Sequence, residues 1–353
     1  MVYTAINSQG KMMLAKTQQD IKLPTNFTSR PARMDDMAAV IDLINHCSMA
    51  QIGVPEAEES EMKGFWGDPK LDMDTSTRLV FDTTGKLVAY ADVDDTSSMP
   101  VHPFVWARVH PDYEGMGVGS ALLQWGETTL QRTLTRVPED IRVAIRGFAL
   151  STHEPAKQLF INHGFQLIRH FWRMVIEFAE TPPQPVWPEG ITVTTFDQFQ
   201  DFRAVVAATD DGFKDHWGYV EKPLDEQVEH WRHWIESDEH HDPTLWFLAM
   251  AGEEIAAVSL CRPFSTDDRE MGWVNQLAVR RPWRRRGLGL ALLHHSFGEF
   301  YRRGQKRAGL GVDAGSLTNA TRLYEKAGMH VSRQYDTYEK VLRNGKNVST
   351  ETL

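Results

Sequence analysis

Cysteine is almost absent from this chain: Cys47 and Cys261 are the only two in 353 residues. Two thiols so far apart support neither a disulfide framework nor a zinc site of the usual spacing, so a reducing, cytoplasmic setting is expected. Long apolar runs are missing as well. No stretch of about 18 apolar residues occurs, and the opening segment MVYTAINSQGKMMLAKTQQDIKLP has no apolar signal core, so no membrane role is expected. An excess of positive charge is also lacking. The formal net charge is −10, which argues against general nucleic-acid binding and is compatible with a cationic substrate. No GxxxxGK[ST] phosphate loop is present. Tryptophan, by contrast, is plentiful at eleven residues, which fits filled cores or aromatic-lined pockets without deciding between them.

The length supports two domains, each able to bury its own core. The segment AETPPQPVWPEG, 179–190, carries four prolines and no apolar period, and it is the natural boundary. The order of predicted elements on its two sides repeats. Each side has a helical segment, a hairpin, a strand running into a glycine turn and a helix, a further strand, a short helix closed by glycine, and a last strand. Gly287 and Gly289 repeat Gly117 and Gly119, ALLHHSF repeats ALLQWGE, and Gly328 repeats Gly164. A duplicated mixed α/β unit explains this order. The expected layout is an N-terminal arm over 1–26, a first unit over 27–178, the linker, a second unit over 191–343 and a tail over 344–353. Phe171 to Phe178 is expected to close the first unit, and Tyr335 to Leu342 the second. A monomer or homodimer is expected.

The most informative stretch is 271–303, MGWVNQLAVRRPWRRRGLGLALLHHSFGEFYRR. Met271 to Val279 reads as a buried strand. RRPWRRR closes on Gly287-Leu288-Gly289, and helical spacing follows from Leu290. A strand that turns through glycines into a helix start suits phosphate. Its backbone N–H groups are free, the helix dipole is positive there, and glycine lets the ligand approach. A dinucleotide loop of the G-x-G-x-x-G kind is disfavoured, because Leu292 stands where the third glycine belongs.

Arg284-Arg285-Arg286-Gly287-Leu288-Gly289 resembles the R/Q-x-x-G-x-G/A loop of the GNAT acyltransferase superfamily. The strand ending Leu277-Ala278-Val279 and the block Asn319-Ala320-Thr321-Arg322-Leu323-Tyr324 resemble the same family, the block with one residue fewer between asparagine and leucine. The resemblance spans both units, as in tandem double-GNAT proteins. It implies two GNAT folds, each a mixed, mostly antiparallel sheet flanked by helices, and an N-acetyltransferase that uses acetyl-CoA and no metal. It further implies that Leu277, Ala278 and Val279 bind the pantetheine arm. Arg284, Arg285, Arg286, Gly287, Leu288, Gly289 and Leu290 would surround the pyrophosphate, with Asn319 and Lys326 also on the cofactor. Tyr324 is implied to serve the departing CoA thiolate as donor.

The family's strand glutamate is missing, since Asn275 and Gln276 occupy its place. Glu270, Asp215, His216, His240 and His241 are the alternatives for general base. Asp215 and His216 are preferred because they lie in the segment Asp211 to Gly218, between the first two helices, where such enzymes shape the acceptor pocket. Glu239-His240-His241-Asp242 reads as a solvated loop rather than a metal site. In the first unit, Glu114 replaces the loop arginine and Phe160 the tyrosine. That unit is therefore read as degenerate, with Gly117 and Gly119 kept. The expected activity is acetyl transfer to a small-molecule amine in the second unit. The rival readings are a CoA-binding module without turnover and an acetyltransferase acting on a protein amine.

Overall fold

The computed structural model describes residues 21–352. The expected arm therefore lies outside the described residues as far as residue 20; beyond it, Ile21 and Leu23 pack on the first half's core. The first half supplies β1 (Thr28–Arg30), α1 (Met37–Ile52), α2 (Glu59–Trp66), α3 (Met73–Ser76), β2 (Thr77–Phe81), β3 (Leu87–Asp94), β4 (Phe104–Val109), α4 (Val118–Leu130), β5 (Val143–Leu150), α5 (Glu154–Asn162) and β6 (Gln166–Glu177). The second half supplies β7 (Ile191–Thr195), α6 (Phe196–Phe199), α7 (Phe202–Phe213), α8 (Leu224–Ser237), β8 (Trp246–Ala251), β9 (Glu254–Arg262), β10 (Met271–Val279), α9 (Leu288–Arg302), β11 (Arg307–Asp313), α10 (Ala320–Lys326) and β12 (His330–Arg343). No helix among the described residues is long and apolar enough to cross a membrane.

All twelve strands join one sheet in the order β1-β2-β3-β4-β5-β12-β6-β11-β10-β9-β8-β7. This corrects one expectation. Strand β6 does not close the half that precedes it. It pairs with β11 of the second half, while β12 crosses to pair with β5 of the first. The two exchanged strands lie antiparallel at the centre, with Phe171 opposite Tyr335. Periodicity reports that a segment is a strand and does not report its partner. Charge helps to select the partner here. Glu339 on β12 accepts hydrogen bonds from Arg142 at 2.5 Å and Arg146 at 3.0 Å, both from the β5 region. Arg169 on β6 donates twice to Asp313 on β11, each at 2.8 Å. The proline-rich boundary thus divides the chain without dividing the sheet.

Helices cover both faces of the second half. On one face, Leu292, Phe297 and Phe300 of α9 pack on Leu310 and Val274, all fully or nearly fully buried. Each such side chain contributes about 1.5–3 kcal/mol by leaving water. Phe300 lies over Gly272, where an added Cβ would sit 2.3 Å from the ring. On the other face, Val205 and Ala208 of α7 meet Leu248, Val258 and Ala278. Helix α7 begins at Phe202, where the Asp201 carboxylate caps the Ala204 N–H at 3.0 Å. It also runs on to Phe213, which delivers residues 211–216 to the end of β10.

The parallel pairing of β10 with β11 is brief. It runs from Met271/Arg307 to Val274/Leu310 and stops. The register of β10 with β9 slips between Val274 and Gln276, after which Gln276 to Val279 remain bonded to β9 alone. A bulge of this kind bends its strand away from the neighbour. The result is an open seam in the sheet, with Leu277 to Val279 on one side and the end of β11 on the other. In the first half, the corresponding pair β4 and β5 shares a single register contact, Phe104 with Arg146.

Candidate active site

The chain leaves β10 through a short turn and enters α9 at Gly287, whose φ of 91° lies in the left-handed region. Arg285 takes a left-handed φ of 59°, unusual for a side-chain-bearing residue. No side chain caps α9. The N–H groups of Leu288, Gly289 and Leu290 therefore keep the free donors of a helix start, and these open onto a groove of about 320 Å3. Gly289 packs closely: a Cβ there would stand 2.9 Å from the end of the Leu323 side chain. Leu277 and Val279 from the seam line the same groove, as do Asn319 and Tyr324 from the other wall. The sequence expectation thus gathers most of its cofactor residues around one cavity. Lys326 is exposed and does not line it.

The arginines divide in a way that spacing does not reveal. Arg280 donates to Asp211 at 2.9 Å and to the Ile255 carbonyl at 3.0 Å. Arg284 donates to the carbonyls of Val279 at 2.9 Å and Gly212 at 3.0 Å, and also to Asp215. Arg281 donates to Asp215 at 2.7 Å. These three guanidiniums fasten the loop to the end of α7. Arg284 borders the groove as well, with each of its three nitrogens also bonded to the protein. Arg285 and Arg286 remain exposed and make no side-chain hydrogen bond among the described residues, and Arg285 borders the groove.

The same geometry corrects the role expected of Asp215. Its carboxylate is buried. Hydrogen bonds from Arg281, and then from Arg284, hold its carboxyl well below the usual carboxylate range. A carboxylate so stabilised is a poor proton acceptor; Asp215 is a strut. His216 is placed differently. It borders both the groove and a second cavity of about 190 Å3, which also touches Leu277, Leu317 and Tyr324. Burial, reinforced by the Arg284 charge, lowers its pKa, so the ring is neutral at pH 7 and able to accept a proton. The remaining base candidates lie elsewhere. Glu270 is exposed and paired with Lys306, and His240 and His241 meet Phe264 and Trp246 edge to face. No group of metal-binding side chains is found among the described residues.

Tyr324 sits where the two cavities meet. Burial raises its pKa to about 12, and its hydroxyl makes no hydrogen bond among the described residues. It stays protonated at neutral pH. Asn319 occupies the N-cap of α10 with a φ of 58°, yet its side chain makes no capping bond and stays exposed. The 190 Å3 cavity adds residues that the sequence reading missed. Trp217 was present in a segment already singled out. Phe171 and Asp313 gave no local signal, because their roles depend on the exchanged strand.

A third cavity of about 620 Å3 lies between the halves and shares Phe213 and Gln276 with the small one. The first half has its own groove of about 500 Å3 at the equivalent seam, bordered by Gly117, Gly119 and Phe160. There Glu114 pairs with His153 at 3.1 Å, and Pro24 lies 3.2 Å from the position of a Cβ on Gly117. Phe160 is stacked on Tyr338, 5.0 Å between centroids.

A sheet split between two parallel strands, an uncapped glycine-led helix start at the seam and a buried tyrosine at its inner end define an acyltransferase of the GNAT type. The comparisons agree with this reading. The model of the acetyltransferase (GNAT) family matches residues 203–329. A mycothiol acetyltransferase of Streptomyces griseus subsp. griseus is 30% identical over 254 residues, covering 69% of this chain and 73% of the relative. One from Streptomyces bingchenggensis is 29% identical over 269 residues, covering 74% and 78%. Among solved structures, a GCN5-related N-acetyltransferase from Sphaerobacter thermophilus is 35% identical with a TM-score of 0.76, covering 93% of this chain and all of that one. A tandem GNAT protein from the clavulanic acid biosynthesis pathway shares the fold at 13% identity and a TM-score of 0.62, covering 91% of this chain and all of that one. The chain belongs to the GNAT family of N-acyltransferases.

Proposed function

We propose that the chain transfers an acetyl group from acetyl-CoA to the amine of a small molecule, with the reacting atoms at the seam of the second half. One observation carries the reading. The groove beneath the free N–H groups of α9 shares Tyr324, His216 and Leu277 with the small cavity, and the small cavity shares Phe213 and Gln276 with the large cavity between the halves. In this reading the cofactor occupies the groove, and the acceptor approaches from the side of the large cavity.

In this reading, the Leu288 to Leu290 N–H groups hold the pyrophosphate, and each such charge-assisted bond is worth about 1.5–3 kcal/mol. Leu277 and Val279 line the pantetheine arm. A lysine-like ammonium loses its proton at a cost of about 4–5 kcal/mol at neutral pH. His216 accepts that proton, directly or through water. The free amine attacks the thioester carbonyl, the carbon–sulfur bond breaks, and the sulfur leaves as a thiolate. Tyr324 stabilises the thiolate as a hydrogen-bond donor. With its pKa at about 12 against roughly 8.5 for a thiol, full transfer of its own proton would be uphill by about 5 kcal/mol. The proton that completes CoA therefore comes from the nitrogen. The balance is one ammonium and one acetyl-CoA giving one amide, one CoA thiol and one released proton.

The name shared by the curated relatives puts the amine precursor of mycothiol first on the acceptor panel. Steady-state acetylation is measured against that panel for the wild-type chain and Tyr324→Phe. The expected result is turnover by wild type and a 10- to 100-fold lower kcat in the variant, with acetyl-CoA still bound. Equal inactivity of both proteins, with acetyl-CoA bound, would overturn the reading.

A further inference from the structure

Strand β6 belongs to the first half by sequence but borders the second half's cavity by pairing. Phe171 lies at its centre, opposite Asp313 on one side and Tyr335 on the other. An aromatic in the middle of a twelve-stranded sheet would ordinarily be buried, yet Phe171 is 36% exposed and joins no hydrophobic core cluster. Its open face borders the 190 Å3 cavity that Tyr324 and His216 share. Two positions earlier on the same strand, Arg169 holds Asp313 through two bonds of 2.8 Å. Its guanidinium also lies 5.1 Å from the Trp217 ring, and Arg146 of β5 lies 4.4 Å from that ring. Trp217 follows His216 directly and faces the same cavity.

The first half therefore supplies one wall of the second half's pocket and pins the indole beside its histidine. From this we infer that Phe171 determines acceptor specificity by limiting the bulk carried next to the reacting nitrogen, in a pocket the second half does not complete by itself. The wall is aromatic on two sides, from Phe171 and Trp217, with the Asp313 carboxylate between strand ends. Arg146 and Arg169 already lie over the Trp217 ring and Arg169 already holds Asp313, so this wall discriminates by size rather than charge, with the Phe171 ring limiting the room beside the reacting nitrogen. The assignment rests on the acetyl-CoA reading of the groove. It goes beyond that reading by naming the residue, from the other half, that selects the acceptor.

The test uses binding, so it does not depend on finding the natural acceptor. The full-length chain and its Phe171→Ala and Phe171→Trp variants are titrated by calorimetry with CoA and with two conjugates. In each conjugate the CoA sulfur is joined through an acetamide to an amine, n-butylamine in one and diphenylmethylamine in the other. Wild type is expected to bind the branched conjugate at least tenfold more weakly than the linear one. In Phe171→Ala that gap falls below threefold. In Phe171→Trp the linear conjugate itself weakens at least tenfold. The Kd for CoA stays within twofold in all three proteins. An unchanged gap in Phe171→Ala with CoA affinity intact overturns the assignment. So does a parallel loss for CoA and both conjugates, which would mark Phe171 as a general support of the fold. Failure of CoA to bind wild type overturns the acetyl-CoA reading and this assignment with it.

Discussion

Replacing Asp215 by asparagine separates two chemical roles that predict opposite results. A general base would be lost, and kcat would fall steeply with little change in stability. A strut would be lost instead according to the geometry, where Asp215 joins the turn after α7 to Arg284, and Arg284 holds the Val279 and Gly212 carbonyls. The Arg281 contact faces water and is left out of the magnitude. The Arg284 contact is a charge-assisted bond to a buried carboxylate, worth about 1.5–3 kcal/mol, and its loss leaves a half-buried guanidinium short of a partner. Asp215→Asn should therefore destabilise the chain by about 2–3 kcal/mol, roughly a 30- to 150-fold shift in the unfolding equilibrium. The sign of the pH dependence follows from the depressed carboxyl. Its contribution is present above the unfolded aspartate pKa of about 3.9 and is lost as pH falls through the lower folded value. The penalty should thus be equal at pH 7 and pH 5.5. Urea unfolding at both pH values gives the stability, and initial rates give the constants. The expected kinetic result is a five- to tenfold higher KM for acetyl-CoA, because the loop under the α9 donors has loosened, with kcat within threefold. Unchanged stability together with a hundredfold lower kcat would refute the strut and restore the base.

Three further outcomes are expected. The His216→Gln variant should lose the acidic limb of the kcat profile, which in wild type lies below the ordinary histidine pKa of about 6.5 because burial lowers it; a retained limb would assign the base elsewhere. Equilibrium dialysis with acetyl-CoA should give one equivalent per chain, since Glu114 and Pro24 crowd the first half's loop; two equivalents would show a working second site. Cys47 and Cys261 are buried with thiols raised to about 11, so an aromatic disulfide reagent at pH 8 should label the native chain at least a hundredfold more slowly than the urea-unfolded chain, and rapid native labelling would contradict their packing.

What the sequence made legible was local. Gly287 and Gly289 announce a tight turn into a helix, and a turn into a helix has free donors wherever it occurs. Tyr324 could be placed because the block from Asn319 to Tyr324 resembles the family's motif. What remained hidden was non-local. Nothing in RRPWRRR distinguishes Arg284, which reaches back to the end of α7, from Arg285, which makes no side-chain hydrogen bond among the described residues. The difference lies in how far Gly212 lets α7 approach β10, where an added Cβ would meet that of Ala278 at 2.7 Å. Asp215 likewise looked like a base because its partners lie 66 and 69 residues away. The exchange of β6 and β12 was invisible for the same reason, and with it the part played by Phe171.

That exchange also bears on how the chain is made. Arg146 and Glu339, which join β5 to β12, are 193 residues apart. While a ribosome is still extending the second half, the edge of β5 has no strand to accept, and the open edge of β6 waits for β11. Each half emerges with an unpaired border at its centre, a surface prone to pairing with the wrong chain. Completion of the sheet is deferred to the last stretch of synthesis, so a truncated message would yield a product whose first half, though wholly translated, still lacks its neighbour.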